Sequence, residues 1–145
     1  MTTYQNILVA VDGSEEAEQA LERAIHIAAD NHARLVIAHV IDNRNLVQLA
    51  QYDSSITERA KAYGQELLDG YIETAKQSGV DNVTTALEFG SPRAEISKTL
   101  AKRFEADLIV VGATGLNAVE RLLIGSVSEA IIRQAACDVL VVRKR

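Results

Sequence analysis

Short apolar runs alternate with longer polar stretches along the chain, and four of these runs are nearly continuous. They are Ile7–Val11, Leu35–Val40, Leu108–Val111 and Val139–Val142. Continuous apolar runs are typical of strands buried on both faces, as in a parallel sheet covered by helices. A fifth run, Val83–Phe89, alternates between apolar and polar positions. We therefore predict five strands, with the alternating one at an edge of the sheet.

Two helical patterns lie between the first three strands. Ser14 is the predicted N-cap of the first helix, ahead of a stripe that repeats at helical spacing: Ala17, Ala20, Leu21, Ala24, Ile25 and Ala28. The second helix is predicted to start near Ser55, where Ser55 and Glu58 fit a capping box. Gly79 is its predicted C′ residue. The apolar positions of the second helix are Ala62, Leu67, Leu68, Tyr71 and Ile72.

Two further helices are predicted in the second half of the chain. Ser91-Pro92 opens the third, with proline at the first helical position. The fourth begins near Ser126 and runs to about Ala135. The residues expected to face the core are Ile96, Leu100 and Phe104 in the third helix, and Val127, Ala130 and Ile131 in the fourth.

Strict alternation of strands and helices predicts an α/β domain over residues 1–145, with a five-stranded parallel sheet and helices on both faces. Placing the most apolar strands centrally gives the strand order 3-2-1-4-5. The strand order then reverses between strands one and four. In open α/β sheets, ligands bind at such a switch point, beyond the carboxyl ends of the strands. The longest predicted loop, Asp42 to Ser54, is expected to cover such a site.

Composition and charge limit the kinds of molecule and compartment that we expect for this protein. Fifteen basic and 20 acidic residues give a net charge of −5, which argues against binding to nucleic acid or to an anionic membrane. A single cysteine, Cys137, fits a reducing compartment, and we expect a cytoplasmic protein. The N-terminus lacks the pattern of a signal peptide, and no apolar run approaches the ~18 residues of a membrane span.

Glycine-rich turns follow the two strands at the predicted switch point. The first strand ends in Val11-Asp12-Gly13-Ser14 and the fourth in Val111-Gly112-Ala113-Thr114-Gly115. Gly125-Ser126 then opens the last helix, whose N–H groups and dipole suit a phosphate, and the hydroxyls of Ser126 and Ser128 could add donors. The alternative is that these glycines only supply the tight turns that any parallel α/β protein needs. Likewise, Asp12 could bind ribose hydroxyls or a metal, or cap its own turn.

Standard machinery for phosphoryl transfer is missing from the sequence. There is no P-loop motif and no G-x-G-x-x-G, and no lysine lies between Lys102 and Lys144. A phospho-acceptor receiver is set aside because the third strand ends in Glu88-Phe89-Gly90, without an aspartate. His39 is interpreted as a packed or partly exposed histidine rather than a catalyst.

The spacing Gly112-x-x-Gly115, nine residues, then Gly125-Ser126 resembles the nucleotide-binding signature of the universal stress protein family. Ile7–Ser14, Ala38-His39-Val40 and Val139–Arg143 are similar to other segments of that family, so the resemblance covers essentially the whole chain. It implies a Rossmann-like fold of the adenine nucleotide alpha-hydrolase-like type. It also implies an ATP-binding regulatory module in the stress response. A weak ATPase, or an interaction module that acts without nucleotide, is the alternative.

The resemblance also implies roles for particular residues. Those placed at the adenosine are Ala10, Asp12 and Val40, and those placed at the phosphates are Gly112, Ala113, Thr114, Gly115, Leu116, Asn117, Ala118, Gly125, Ser126, Val127 and Ser128. Arg121 is the one basic residue of Leu116–Leu123, and a divalent cation such as Mg²⁺ could supply further compensation for a triphosphate. The last strand, Val139, Leu140, Val141 and Val142, is implied to pair with its counterpart in a homodimer. Cys137-Asp138 departs from the family here, since many relatives have proline before this strand.

Overall fold

The structure of the chain is a computed structural model that describes residues 3–42, 51, 53–113 and 124–143. The strands are β1 (Asn6–Ala10), β2 (Arg34–Asp42), β3 (Val83–Gly90), β4 (Leu108–Gly112) and β5 (Asp138–Val142). They form one parallel sheet in the order β3-β2-β1-β4-β5, which confirms the predicted topology. The predicted loop from Asp42 to Ser54 lies for the most part outside the described residues.

Four helical segments connect the strands. They are α1 (Glu15–Asn31), α2 (Ser55–Gln77), α3 (an α-helical turn at Pro92–Ala94, a π-helical segment at Glu95–Leu100 and an α-helical turn at Ala101–Arg103) and α4 (Ser126–Gln134). No helix within the described ranges is long and apolar enough to cross a membrane.

Helices cover both faces of the sheet, and each face has its own apolar core. Alternate residues of β1 divide between the two: Ile7 and Val9 join the core beneath α1 and α2, whereas Leu8 joins the core beneath α3 and α4. All three side chains are fully buried. This double burial explains why β1 is a continuous apolar run rather than an alternating one.

The first helix forms as predicted. The Ser14 hydroxyl accepts the Ala17 N–H at 3.1 Å, and the six predicted apolar positions are the buried residues of α1. Two backbone hydrogen bonds close α2 around Gly79, from Gly79 N–H to the Lys76 carbonyl and from Val80 N–H to the Ala75 carbonyl. With Gly79 at φ +96°, this is the Schellman motif expected of a C′ glycine.

The second helix starts at Ser55 as predicted, but the predicted capping box is wrong. Ser54, not Ser55, is the N-cap, and it makes no side-chain capping bond. The Asp53 carboxylate instead accepts both the N–H and the hydroxyl of Ser55, because a charged acceptor makes the stronger hydrogen bonds. Of the predicted apolar positions, Leu68 is buried, Leu67, Tyr71 and Ile72 are partly buried, and only Ala62 is exposed.

The third and fourth helices begin where predicted, with Pro92 as the first residue of α3. Ile96 and Leu100 of α3 and Ile131 of α4 are buried. Phe104, Val127 and Ala130 are partly buried. The π-helical middle of α3 could not be read from the apolar spacing, because that spacing does not separate a π-helical turn from an α-helical one.

Candidate functional site

The turn after β1 is anchored to β2 by two hydrogen bonds. Val11 donates its N–H to the Ala38 carbonyl at 2.9 Å, and its own carbonyl lies 2.8 Å from Nδ1 of the buried His39. Since a carbonyl only accepts, Nδ1 carries the proton and donates. This assigns His39 the packing role expected from the sequence, at the point where β1 ends.

Asp12 and Gly13 shape the turn itself. The Asp12 carboxylate accepts the Ser14 N–H at 2.9 Å, which is the local turn-capping role considered for Asp12 from the sequence. Gly13 has a φ of +86°, and a Cβ built there would lie 2.5 Å from the Tyr63 hydroxyl. Glycine is therefore favoured here for its left-handed backbone conformation, while the exposed Tyr63 side chain could move aside from a Cβ.

The turn after β4 is packed against the first turn of α1. A Cβ built on Gly112 would lie 3.1 Å from the carbonyl carbon and oxygen of Glu16. The Ala113 N–H continues the sheet, donating to the Val142 carbonyl at 2.8 Å. Gly112 therefore has a packing role of its own, independent of any ligand.

Two hydrogen bonds join the start of α4 to the end of β4. The Ser128 hydroxyl, in a residue that is 6% exposed, donates to the Gly112 carbonyl at 2.5 Å. The Gly125 N–H donates to the Ala113 carbonyl at 2.6 Å. The Ser128 hydroxyl and the Gly125 N–H are therefore used within the protein and hold α4 at this edge.

The first turn of α4 has N–H groups that the helix itself does not use. Its first intrahelical bond runs from the Glu129 N–H to the Gly125 carbonyl, so the N–H groups of Ser126, Val127 and Ser128 have no acceptor within the helix. Gly125 offers no side chain to cap them. These N–H groups and the helix dipole together favour an anion at this position.

The described site residues meet at the carboxyl edge of the sheet. Ala10 and Val40 are partly buried at or near the ends of β1 and β2, and Asp12 follows β1. Gly112, Ala113 and the start of α4 adjoin the end of β4. Five predicted site residues lie outside the described ranges: Thr114, Gly115, Leu116, Asn117 and Ala118.

Arg93 is a residue of this edge that the sequence interpretation missed. Its Nη2 donates to the Ser126 hydroxyl at 3.1 Å, across 33 positions of sequence. The available signal was its place directly after Ser91-Pro92, at the carboxyl end of β3, where ligands of a parallel sheet bind.

Within the described residues, no group of three or more histidine, cysteine or carboxylate side chains is placed to hold a metal ion.

Comparison with known proteins extends over nearly the whole chain. The universal stress protein family matches residues 3–143. A protein of Staphylococcus haemolyticus that is named for this family is 54% identical over 143 residues, covering 99% of this chain and 87% of its own.

Two solved structures share the fold. The universal stress protein UspA from Lactobacillus plantarum is 29% identical with a TM-score of 0.87, over 99% of this chain and 100% of its own. A universal stress protein solved in complex with cAMP is 31% identical with a TM-score of 0.73, over 98% of both chains. The chain belongs to the universal stress protein family.

Proposed function

We propose that this protein binds an adenine nucleotide, with ATP as its ligand, and acts as a nucleotide-dependent regulatory module in the stress response. The observation that carries the proposal is the N-terminus of α4, where Gly125 supplies no capping side chain and Ser128 is bonded to the Gly112 carbonyl at the end of β4. The turn after β4 lies at the switch point between β1 and β4, where the strand order reverses.

The comparisons support a nucleotide of the adenine class. A relative that is 31% identical over 98% of the chain was solved in complex with cAMP. The two chains share the fold over that length, with a TM-score of 0.73. The step from cAMP to ATP rests on the glycine signature Gly112-x-x-Gly115 and Gly125-Ser126.

In this proposal the adenosine lies against Ala10, Asp12 and Val40. The phosphates lie against the N–H groups of Ser126, Val127 and Ser128, together with the turn from Gly112 to Ala118. The Asp12 carboxylate binds a ribose hydroxyl through lone pairs left by its bond to the Ser14 N–H. Mg²⁺ would enter with the triphosphate, because magnesium is commonly held by substrate phosphates and few protein ligands.

We favour regulation over catalysis, because we assign no general base among the described residues. His39 is 8% exposed and its Nδ1 is engaged by the Val11 carbonyl. We therefore assign it to packing rather than to a general base. Within the described residues we assign no side chain to the activation of water, so weak ATP hydrolysis remains the secondary hypothesis.

A homodimer through β5 is part of the same proposal. This strand pairs only with β4 within the sheet, and Val139, Leu140 and Val141 are partly exposed on it. An edge strand of this kind presents N–H and carbonyl groups for pairing with a second copy. A Val141→Pro variant should be monomeric by sedimentation. A dimer that persists in a folded variant would contradict the assignment of this strand as the interface.

We place the protein in the cytoplasm, because its single cysteine fits a reducing compartment.

Isothermal titration of the purified protein with ATP and Mg²⁺ tests the proposal. We expect saturable binding. A thermal melt at 100-fold excess of ATP over its Kd should show a stabilisation of about 2.7 kcal/mol. GTP serves as the matched control, since it carries the same phosphates on a different base. Absence of binding at millimolar ATP, with circular dichroism showing an intact fold, would refute the proposal.

A further inference from the structure

We propose that Arg93 is the side chain that selects polyphosphate nucleotides at this site, by binding the phosphates jointly with the N-terminus of α4. The inference rests on the proposed function, and it names the ligand class as adenosine di- and triphosphates rather than cAMP. It concerns a residue of α3, outside the glycine signature.

The position of Arg93 is set by packing between two helices. Ser97, which is 4% exposed, donates its hydroxyl to the Arg93 carbonyl at 2.5 Å and contacts the Gln134 side chain of α4 at 3.0 Å. The backbone of Arg93 is therefore tied to α4. Its guanidinium then reaches Ser126 at the first turn of α4, with Nη2 3.1 Å from the hydroxyl.

The electrostatics of this contact call for an anion. The N-terminus of a helix carries the positive end of its dipole, so a guanidinium beside it is unfavourable unless a negative group lies between them. Three other arginines pair with carboxylates at 2.7 Å: Arg59 with Asp53, Arg103 with Glu88, and Arg133 with Glu129. Arg34 donates to neutral groups, the Asn6 side chain and the Phe104 carbonyl, but it lies away from any helix N-terminus. Arg93 donates to a neutral hydroxyl at the N-terminus of α4. A phosphate at this point would satisfy both the guanidinium and the helix N–H groups.

Arginine suits this role because its planar fork binds two phosphate oxygens at once. Both Arg93 and Ser126 are exposed, so a ligand can reach the guanidinium from solvent. Coulombic attraction grows with the charge of the ligand. ATP and ADP carry more negative charge than the single charge of cAMP, so Arg93 contributes more to their binding.

Titration calorimetry with ATP, ADP and cAMP at fixed Mg²⁺ and salt tests the inference on three variants. Arg93→Gln removes the charge, Arg93→Lys keeps the charge without the fork, and Arg133→Gln is a matched control on α4 that removes an arginine from an exposed ion pair. For Arg93→Gln we expect the Kd for ATP to rise about 10- to 100-fold, the usual effect of losing a charged hydrogen bond. The Kd for cAMP should change less than about threefold, and Arg93→Lys should fall in between.

Three outcomes would overturn the inference, and they point to different failures. Equal ATP affinity in wild type and Arg93→Gln would show that Arg93 does not bind the phosphates, without contradicting the proposed function. Equal losses for ATP and cAMP contradict selection by phosphate number. Failure of the wild type to bind ATP at all refutes the proposed function and the inference with it. Melts without nucleotide should give Arg93→Gln a midpoint slightly above that of wild type, because the exposed guanidinium no longer repels the positive end of the helix dipole.

Discussion

Two glycines on the same helix are expected to respond to alanine in opposite ways. Gly64 and Gly70 both lie within α2. A Cβ at Gly70 meets nothing within 4 Å, whereas a Cβ at Gly64 would lie 2.7 Å from Leu87 Cδ1 and 2.9 Å from His39 Cδ2. We predict that Gly70→Ala stabilises the protein and that Gly64→Ala does not.

The size of the difference follows from these distances. Both variants gain about 1 kcal/mol, because alanine is the better helix former. Carbon atoms in contact normally lie about 3.5–4.0 Å apart, so the Cβ at Gly64 intrudes by nearly 1 Å. Leu87 can move its terminal methyl, but His39 is buried and bonded to the Val11 carbonyl at 2.8 Å. Overpacking of this kind costs about 1–3 kcal/mol, which is the expected gap between the two variants.

Urea denaturation of wild type and both variants, without nucleotide, measures the gap directly. The propensity gain is common to both substitutions and cancels in the comparison. A gap of 1 kcal/mol corresponds to about 2–4 °C in melting temperature for a chain of nearly this size. If Gly64→Ala stabilised the protein as much as Gly70→Ala, the close approach of α2 to His39 would be refuted.

Two further predictions concern the turn after β4 and the groove between α1 and α2. Gly112→Ala should destabilise the nucleotide-free protein by about 1–3 kcal/mol in urea denaturation, because the atoms that its Cβ meets belong to the backbone of Glu16. An unchanged urea midpoint would contradict the packing role of Gly112. The pKa of Tyr71 is raised, chiefly by burial and then by the Glu18 carboxylate, which accepts its hydroxyl at 3.2 Å. A raised pKa in the folded state means that stability is fully present below the unfolded pKa of about 10 and falls as the pH rises above it. Tyr71→Phe should flatten that alkaline decline in thermal melts, and an equally steep decline would contradict the assignment.

Much of the fold was determined by the sequence itself, because the signals are local. Strands buried on both faces must be continuously apolar, and this alone distinguished the central strands from the alternating β3. The Ser14 cap and the Gly79 terminus depend on hydrogen bonds within three to five residues of chain. The α2 N-cap was wrong because three candidate acceptors, Asp53, Ser54 and Ser55, are adjacent in sequence, and only the geometry decides among them.

The sequence also located the candidate site, through the glycine spacing and the reversal of strand order. What only the tertiary structure decided is how each residue of that edge is used. Gly112 is constrained by α1, Ser128 is bonded to β4, and Arg93 meets Ser126 although 33 positions separate them. These contacts depend on the distance between helices packed on a common sheet, and no local pattern encodes that distance. The sequence thus predicted which edge of the sheet would bind a ligand, while packing determined which polar groups of that edge hold the fold together.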